Sequence, residues 1–220
     1  MTIESKNIFS NRAVELLSQK KFAQQTATQP EYHWAIEYSG RSAQIQTDRI
    51  LTLQYSNSSG QSLVDLFLES VCRMLVNRPL QALFSLSFRE VENFLRDENH
   101  LPAFSNDSET AAREVFLQVK MTLVQKVLLE NVDTKRLIGT DQSWNDLSLA
   151  GKNRTVINFF SWLNDRFGKT NSLELILVED PVVTVKNNDF PLDLPLIEGL
   201  LNQLFTSKET LSPLKVIGTL

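Results

Sequence analysis

A single cysteine, Cys72, and two histidines, His33 and His100, are all the thiol and imidazole donors in 220 residues. Iron and zinc sites ordinarily draw their ligands from several thiolates and imidazoles, so no cluster or zinc ion is expected within one subunit and no cofactor follows from the residues. A lone cysteine also excludes an intrachain disulfide, in keeping with a reducing compartment. Positive charge is short as well: 22 Lys and Arg against 26 Asp and Glu leave a net charge of −4, which gives no long-range attraction for DNA, RNA or anionic lipid. Apolar runs such as Leu175 to Val178 fall far below the roughly 20 residues that cross a bilayer. The opening MTIESKNIFSNRAVELL has no unbroken apolar stretch behind a basic start and does not read as a secretory signal. The seven glycines build no phosphate-cradling loop, and neither a nucleophile elbow nor a paired-histidine zinc motif occurs. These absences describe a cytoplasmic protein with no nucleic-acid or membrane partner.

What is present is ordinary for a folded chain: 42% hydrophobic and 22% charged residues, in a length that suits one large domain or a medium one with an extension. Ile8, Phe9, Ala13, Val14, Leu16 and Leu17 recur at helical spacing behind Ser10 as a cap, which predicts a helix over 8–22. The Gln- and Thr-rich stretch from Phe22 to Glu31 reads as an irregular connection. Three alternating runs follow, His33 to Ser39, Ser42 to Gln46 and Arg49 to Tyr55, with a turn at Thr47 and Asp48, which predicts a small antiparallel three-stranded sheet. Leu63 to Leu75 predicts a long helix that ends at Asn77-Arg78-Pro79. Ser87 with Glu90 three residues on predicts a capped short helix over 88–96, and a long helix is expected over 109–131 with Asp107 or Ser108 as cap. Beyond Val132 the periodicity fades into a loop that contains Trp144, so the chain divides into 1–132 and 133–220. The second part should hold a helix over 153–167 closed by Gly168, strands over 173–178 and 182–186, a helix over 194–205 and an apolar stretch over 214–217. The expected class is α+β, a small sheet packed by helices with a C-terminal α/β extension.

Three local features sharpen this order of elements. Ser39-Gly40-Arg41 precedes the expected second strand. Gly60-Gln61 follows the third, and Asn77-Arg78 begins sixteen residues after Gln61. Phe116 follows Arg113 by three at the start of the last long helix. From Ile8 to Glu130 the chain thereby resembles the NifU/IscU-type iron–sulfur scaffold domain, a SufE/NifU-like fold that carries Cys-Gly-Asp, Gly-Cys with a later Gly-Lys, and a third cysteine at those places. The stretch from Ser39 to Gln61 is about three residues shorter than in that family, read as a tightened turn near Thr47 and Asp48. A serine hydroxyl, a glutamine carbonyl and a phenyl ring do not replace three thiolates, and Arg41 in place of Asp sets a positive charge where a cation would bind. The resemblance therefore implies a scaffold relative without a cluster, a non-catalytic partner-binding or regulatory protein. Its docking corner would be formed by Ser39, Gly40, Arg41, Gly60, Gln61, Arg113 and Phe116, and its partners would be cluster-assembly factors.

Elsewhere the residues have plain readings. Cys72 shares a helix face with Leu68, Leu75 and Val76 and reads as a small buried apolar side chain rather than a reactive thiol. His33 falls in an expected strand and His100 in a polar loop near Asp97 and Glu98, contexts in which a histidine usually has no chemical role. Ser58-Ser59-Gly60 reads as a helix cap before an anion cradle, and Trp144, in a polar loop, as packing or a contact patch. The competing function is an enzyme or small-molecule carrier with its site in the C-terminal module. Asp180, Asp189 and Asp193 are present between its strands and last helix, each beside or near Pro or Asn in a turn-like context where a structural role is common.

Overall fold

The computed structural model describes residues 9–24, 33–39, 45–98, 101–130, 132–133, 136–137, 139, 143–205 and 213–219. Gly40, Arg41, most of the expected strand over 42–46, and His100 lie outside the described residues. The chain is mixed α and β, with seven α-helices and two small sheets among the described residues. It forms two compact units, the first of residues 1–43 and 47–123 and the second of residues 44–46 and 124–220.

In the first unit, helix α1 (Asn11–Ser18) begins where Ser10 Oγ accepts the Ala13 N–H at 3.1 Å, as expected. The Asp97 carboxylate, far along the chain, accepts the N–H groups of Asn11 and Arg12 at 2.7 Å each, closing donors that a helix start otherwise leaves open. The helix stops at Ser18, short of the expected end at Phe22. Residues Phe22 to Gln24 are not an irregular link: the Tyr55 N–H donates to Phe22 O at 3.0 Å, and the Gln24 N–H donates to Tyr55 O at 2.6 Å, which makes a parallel bridge between Ala23 and Tyr55.

Strands β1 (His33–Tyr38) and β2 (Ile50–Ser56) pair antiparallel. Among the described residues this sheet has two strands; Ile45 to Thr47 form a turn where the expected middle strand would end, and residues 42–44 of that strand lie outside the described residues. Trp34 faces Tyr55 and Ile36 faces Leu53 on the inner side, while Ala35 faces Gln54 and Glu37 faces Thr52 on the outer side. Leu51 is an extra residue between the Thr52 and Ile50 pairs.

Helix α2 (Ser62–Leu75) ends where Val76 turns extended with ψ of 133°, and Asn77 follows with a positive φ of 64°, two residues short of Pro79. Helix α3 (Gln81–Ser85) is too short to leave a periodic signal. Helix α4 (Phe88–Leu95) carries the expected Ser87–Glu90 capping box. In α5 (Asn106–Leu129) the Glu109 N–H donates to Ser105 O at 3.0 Å, so Ser105 stands at the cap rather than Asp107 or Ser108. Phe67, Phe88, Phe104 and Phe116 pack together with ring centroids 5.7 to 6.2 Å apart, within the range in which aromatic pairs attract.

In the second unit, Ser148 caps α6 (Leu149–Arg166) by accepting the Gly151 N–H at 3.2 Å, so the helix starts earlier than the expected residue 153. Gly168, with φ of 60°, closes it. Strands β3 (Leu173–Glu179) and β4 (Val182–Asn187) form a hairpin across Asp180-Pro181. After α7 (Leu194–Phe205), strand β5 (Lys215–Thr219) lies parallel to β4, in the order β3-β4-β5. A parallel neighbour needs a crossover connection, and α7 lies within it. Leu173, Val178, Val183, Val185 and Val216 are buried on the inner side of this sheet. Trp144 does not mark a contact patch: it is 3% exposed and its ring lies 5.3 Å from that of Phe205. Among the described residues no helix is long and apolar enough to cross a membrane.

Candidate functional site

Ser39 and Gln61, the two sides of the expected docking corner, lie at opposite ends of α2. Ser39 sits at the end of β1, where its N–H donates to Arg49 O at 2.9 Å and its Oγ accepts the Arg49 N–H at 2.8 Å. Ile50 is bonded in turn to Asn77 and Arg78, so the C-terminal end of α2 lies on the Ser39 side. Gln61 precedes the first residue of α2, and the 14 residues of that helix rise about 20 Å at 1.5 Å each. Strand β2 runs antiparallel to β1, from Ile50 opposite Tyr38 to Ser56 opposite His33, so the chain leaves β2 at the end away from Ser39. Phe116 is 5% exposed inside the aromatic cluster, which leaves it no docking surface. Arg113 remains outside, bonded to Glu109 and lying 4.6 Å over the Phe88 ring. Gly60 adopts φ of 69° in the turn before α2. Ser59 spends its hydroxyl on the Gln61 N–H and its own N–H on Asn57, a local turn.

Cys72 is fully buried, and burial followed by the nearby Glu69 pushes its thiol well above the ordinary range, so it is no nucleophile in the folded chain. Glu69 is the most deeply placed carboxyl group of the first unit, with a side chain 0% exposed. It accepts the N–H groups of Lys21 at 3.0 Å and Phe22 at 3.3 Å, Nε of Arg73 at 2.8 Å and the Tyr55 hydroxyl at 3.4 Å. Burial, then Glu69, also raises the Tyr55 phenol. One turn earlier, Asp65 takes Lys20 at 2.5 Å and Asn57 at 2.9 Å. These groups tie Lys20 to Gln24 onto α2 and the sheet. Every oxygen is engaged by the fold.

In the second unit, buried Lys152 donates to Asp180 at 2.5 Å and lies 5.3 Å over the Trp144 ring, whose Nε1 donates to the same carboxylate at 3.1 Å. The Lys152 hydrogen bond, with help from Trp144, holds the Asp180 carboxyl below its usual range. Asp189 occupies a turn with φ of 54°, and Asp193 O accepts the Ile197 N–H at the start of α7. A groove of about 530 Å³ opens between α6 and β3, lined by Ile157, Ser161, Asp165, Lys169, Glu174 and Leu175 among others. None of Asp180, Asp189 and Asp193 lines it. Asn164 on its wall spends both amide atoms on the backbone of Leu173. Among the described residues no three His, Cys, Asp or Glu side chains gather to hold a metal ion.

The outer face of the second sheet stands apart from these satisfied groups. Leu177 pairs with Thr184, and Thr184 with Ile217, so the three side chains form one row across the strands. Leu177 is 43% and Ile217 49% exposed, and Ile176 beside them is 53% exposed. The sequence conceals this face because Ile176 is an extra residue between the Leu175 and Leu177 pairs, which turns Leu177 outward. The unbroken apolar run from Leu175 to Val178 was the available signal.

Comparison of the chain with models of protein families found no match. Neither the curated proteins nor the solved structures contain a match to it.

Proposed function

We propose that this chain acts by binding another protein and not by chemistry of its own. One observation carries this reading: the deep ionisable groups of both units are consumed by the fold, whereas apolar Leu177 and Ile217 are left outside in a single row. Catalysis calls for a positioned acid, base or nucleophile with a free reacting atom. Binding calls for apolar area that water leaves when a partner arrives.

Kinship with NifU/IscU-type scaffolds belongs to the same proposal. It rests on the order helix, hairpin, glycine turn, long helix, two short helices, long helix and on the spacing from Gln61 to Asn77. The separation of Ser39 from Gln61 counts against a shared docking corner, so the partner-binding reading is placed on the second sheet instead. The kinship carries its own test. Anaerobic reconstitution with iron and sulfide should leave far less than one cluster per chain by absorbance and metal content, and stoichiometric cluster within a monomer would overturn the loss of ligands.

Affinity capture from the source cell tests the binding reading. The full chain should retain a protein that the Leu177→Lys variant loses while keeping its circular-dichroism spectrum. Identical captures by both chains would defeat it.

A further inference from the structure

We infer that the outer face of the β3-β4-β5 sheet packs face to face on the same face of a second copy of this chain. This deepens the partner-binding reading and rests on it by naming the partner. The argument begins with the register. Three rows cross the face: Glu179, Val182 and Lys215; then Leu177, Thr184 and Ile217; then Glu174, Lys186 and Thr219. Side chains that face each other across strands share one side of a sheet, so each row is contiguous. The middle row is apolar at both edges. The first row is acidic at the β3 edge and basic at the β5 edge, and both its ends are exposed. In the third row, Glu174 faces Lys186 within one sheet.

A face becomes its own partner when a two-fold axis maps each group onto a complementary one. An axis parallel to β4 in the plane of contact exchanges β3 with β5 of the other copy. Leu177 then meets Ile217 of the second copy, and Ile217 meets its Leu177. Glu179 meets Lys215 of the second copy, and the reverse pair repeats it. Val182 and Thr184, both half-buried in the single chain, meet their own images at the centre, and exposed Lys186 at the end of β4 meets its own image at the rim, where water screens the like charges and Glu174 faces each lysine within its sheet. Sheets that pack face to face stay roughly aligned with their side chains interdigitated, so this small face needs no rearrangement of the strands. A foreign partner would require no such pairing of the acidic β3 edge with the basic β5 edge. The self-complementary placement of Glu179 and Lys215 selects a second copy.

Charge reversal tests the pairing without disturbing the core. Sedimentation of the full chain over a range of concentrations should give a mass near twice 25.1 kDa. Leu177→Lys and Ile217→Lys should each return it to the single-chain mass with an unchanged circular-dichroism spectrum. Glu179→Lys alone and Lys215→Glu alone should each weaken self-association roughly 100-fold, the effect of like charges brought together at an interface. Mixing the two single variants should restore a complex of two chains, because each then presents the charge the other lacks. A wild-type chain that stays monomeric overturns the inference, as does a dimer that neither Leu177→Lys nor the charge reversals weaken. Either result leaves the broader partner-binding reading to the capture comparison with Leu177→Lys, which fails only when both chains retain the same proteins.

Discussion

The two sheets of this chain solve one problem in two ways. Each is small, each buries one side, and each carries an extra residue in a strand, Leu51 in β2 and Ile176 in β3. On the outer side of the first sheet stand His33, Ala35, Glu37, Thr52 and Gln54, with Gln54 bonded to Gln24 at 2.5 Å, and Leu51 at the irregularity is the one large apolar residue of this sheet left exposed among the described residues, at 43%. On the outer side of the second, charged Glu174, Glu179, Lys186 and Lys215 flank a middle row of Leu177, Thr184 and Ile217. Water satisfies most of the first set, whereas that middle row gains from leaving water. This difference is why the contact is proposed on the second sheet and not on the first.

Four substitutions test how far the contrast reaches, and the largest effect is expected on the inner side of the first sheet. Glu69→Ala leaves the N–H groups of Lys21 and Phe22, the Tyr55 hydroxyl and part of Arg73 without their acceptor, at about 3–5 kcal/mol for breaking a buried pair. Urea denaturation should show it, and a midpoint unchanged from wild type would mean that the network contributes nothing. A glycine pair at the sheet margins comes next. Gly60 and Gly168 both have positive φ, and a side chain there costs about 1–2 kcal/mol from the backbone alone. A Cβ on Gly60 meets nothing within 4 Å, whereas one on Gly168 would lie 2.0 Å from Gln46 Nε2 and disrupt its hydrogen bond to Phe167 O. Gly168→Ala should therefore lower the thermal midpoint more than Gly60→Ala. Equal shifts would show that Gln46 yields freely.

The smallest effect concerns Asp180 in the turn of the second hairpin. Its folded-state pKa is lowered by Lys152, so its contribution is present above the unfolded pKa and disappears as pH falls through the lowered folded value. The carboxylate side chain is 41% exposed, which limits the pair to about 1 kcal/mol or less. Asp180→Asn should flatten the acid side of the stability profile while stability near neutrality drops only slightly. A profile parallel to wild type would show that the ion pair is idle.

Local chemistry was legible in the sequence. The Ser87–Glu90 box, the Ser10 cap, the stop at Asn77-Arg78-Pro79 and the burial of Cys72 each depend on residues a turn or two apart, and each stands as read. What escaped depends on distant partners. Ala23 pairs with Tyr55 through a bridge that no periodicity announces, and Trp144 is buried by Phe205 from the far side of the second unit. The candidate site escaped for the same reason: Thr184 meets Ile217 only because α7 returns the chain parallel to β4, and Leu177 joins them only because Ile176 shifts the alternation. The resemblance to a three-stranded scaffold set Ser39 beside Gln61, and the antiparallel run of β2 against β1 sends them to opposite ends.

The surplus residue in β3 reaches past the register of its own hairpin. A straight outer strand is a template onto which further chains can hydrogen-bond without limit, whereas a strand bent by an inserted residue breaks the ladder that such growth would follow. Ile176 thus frees a hydrophobic row for association while blunting the rim along which fibres would lengthen.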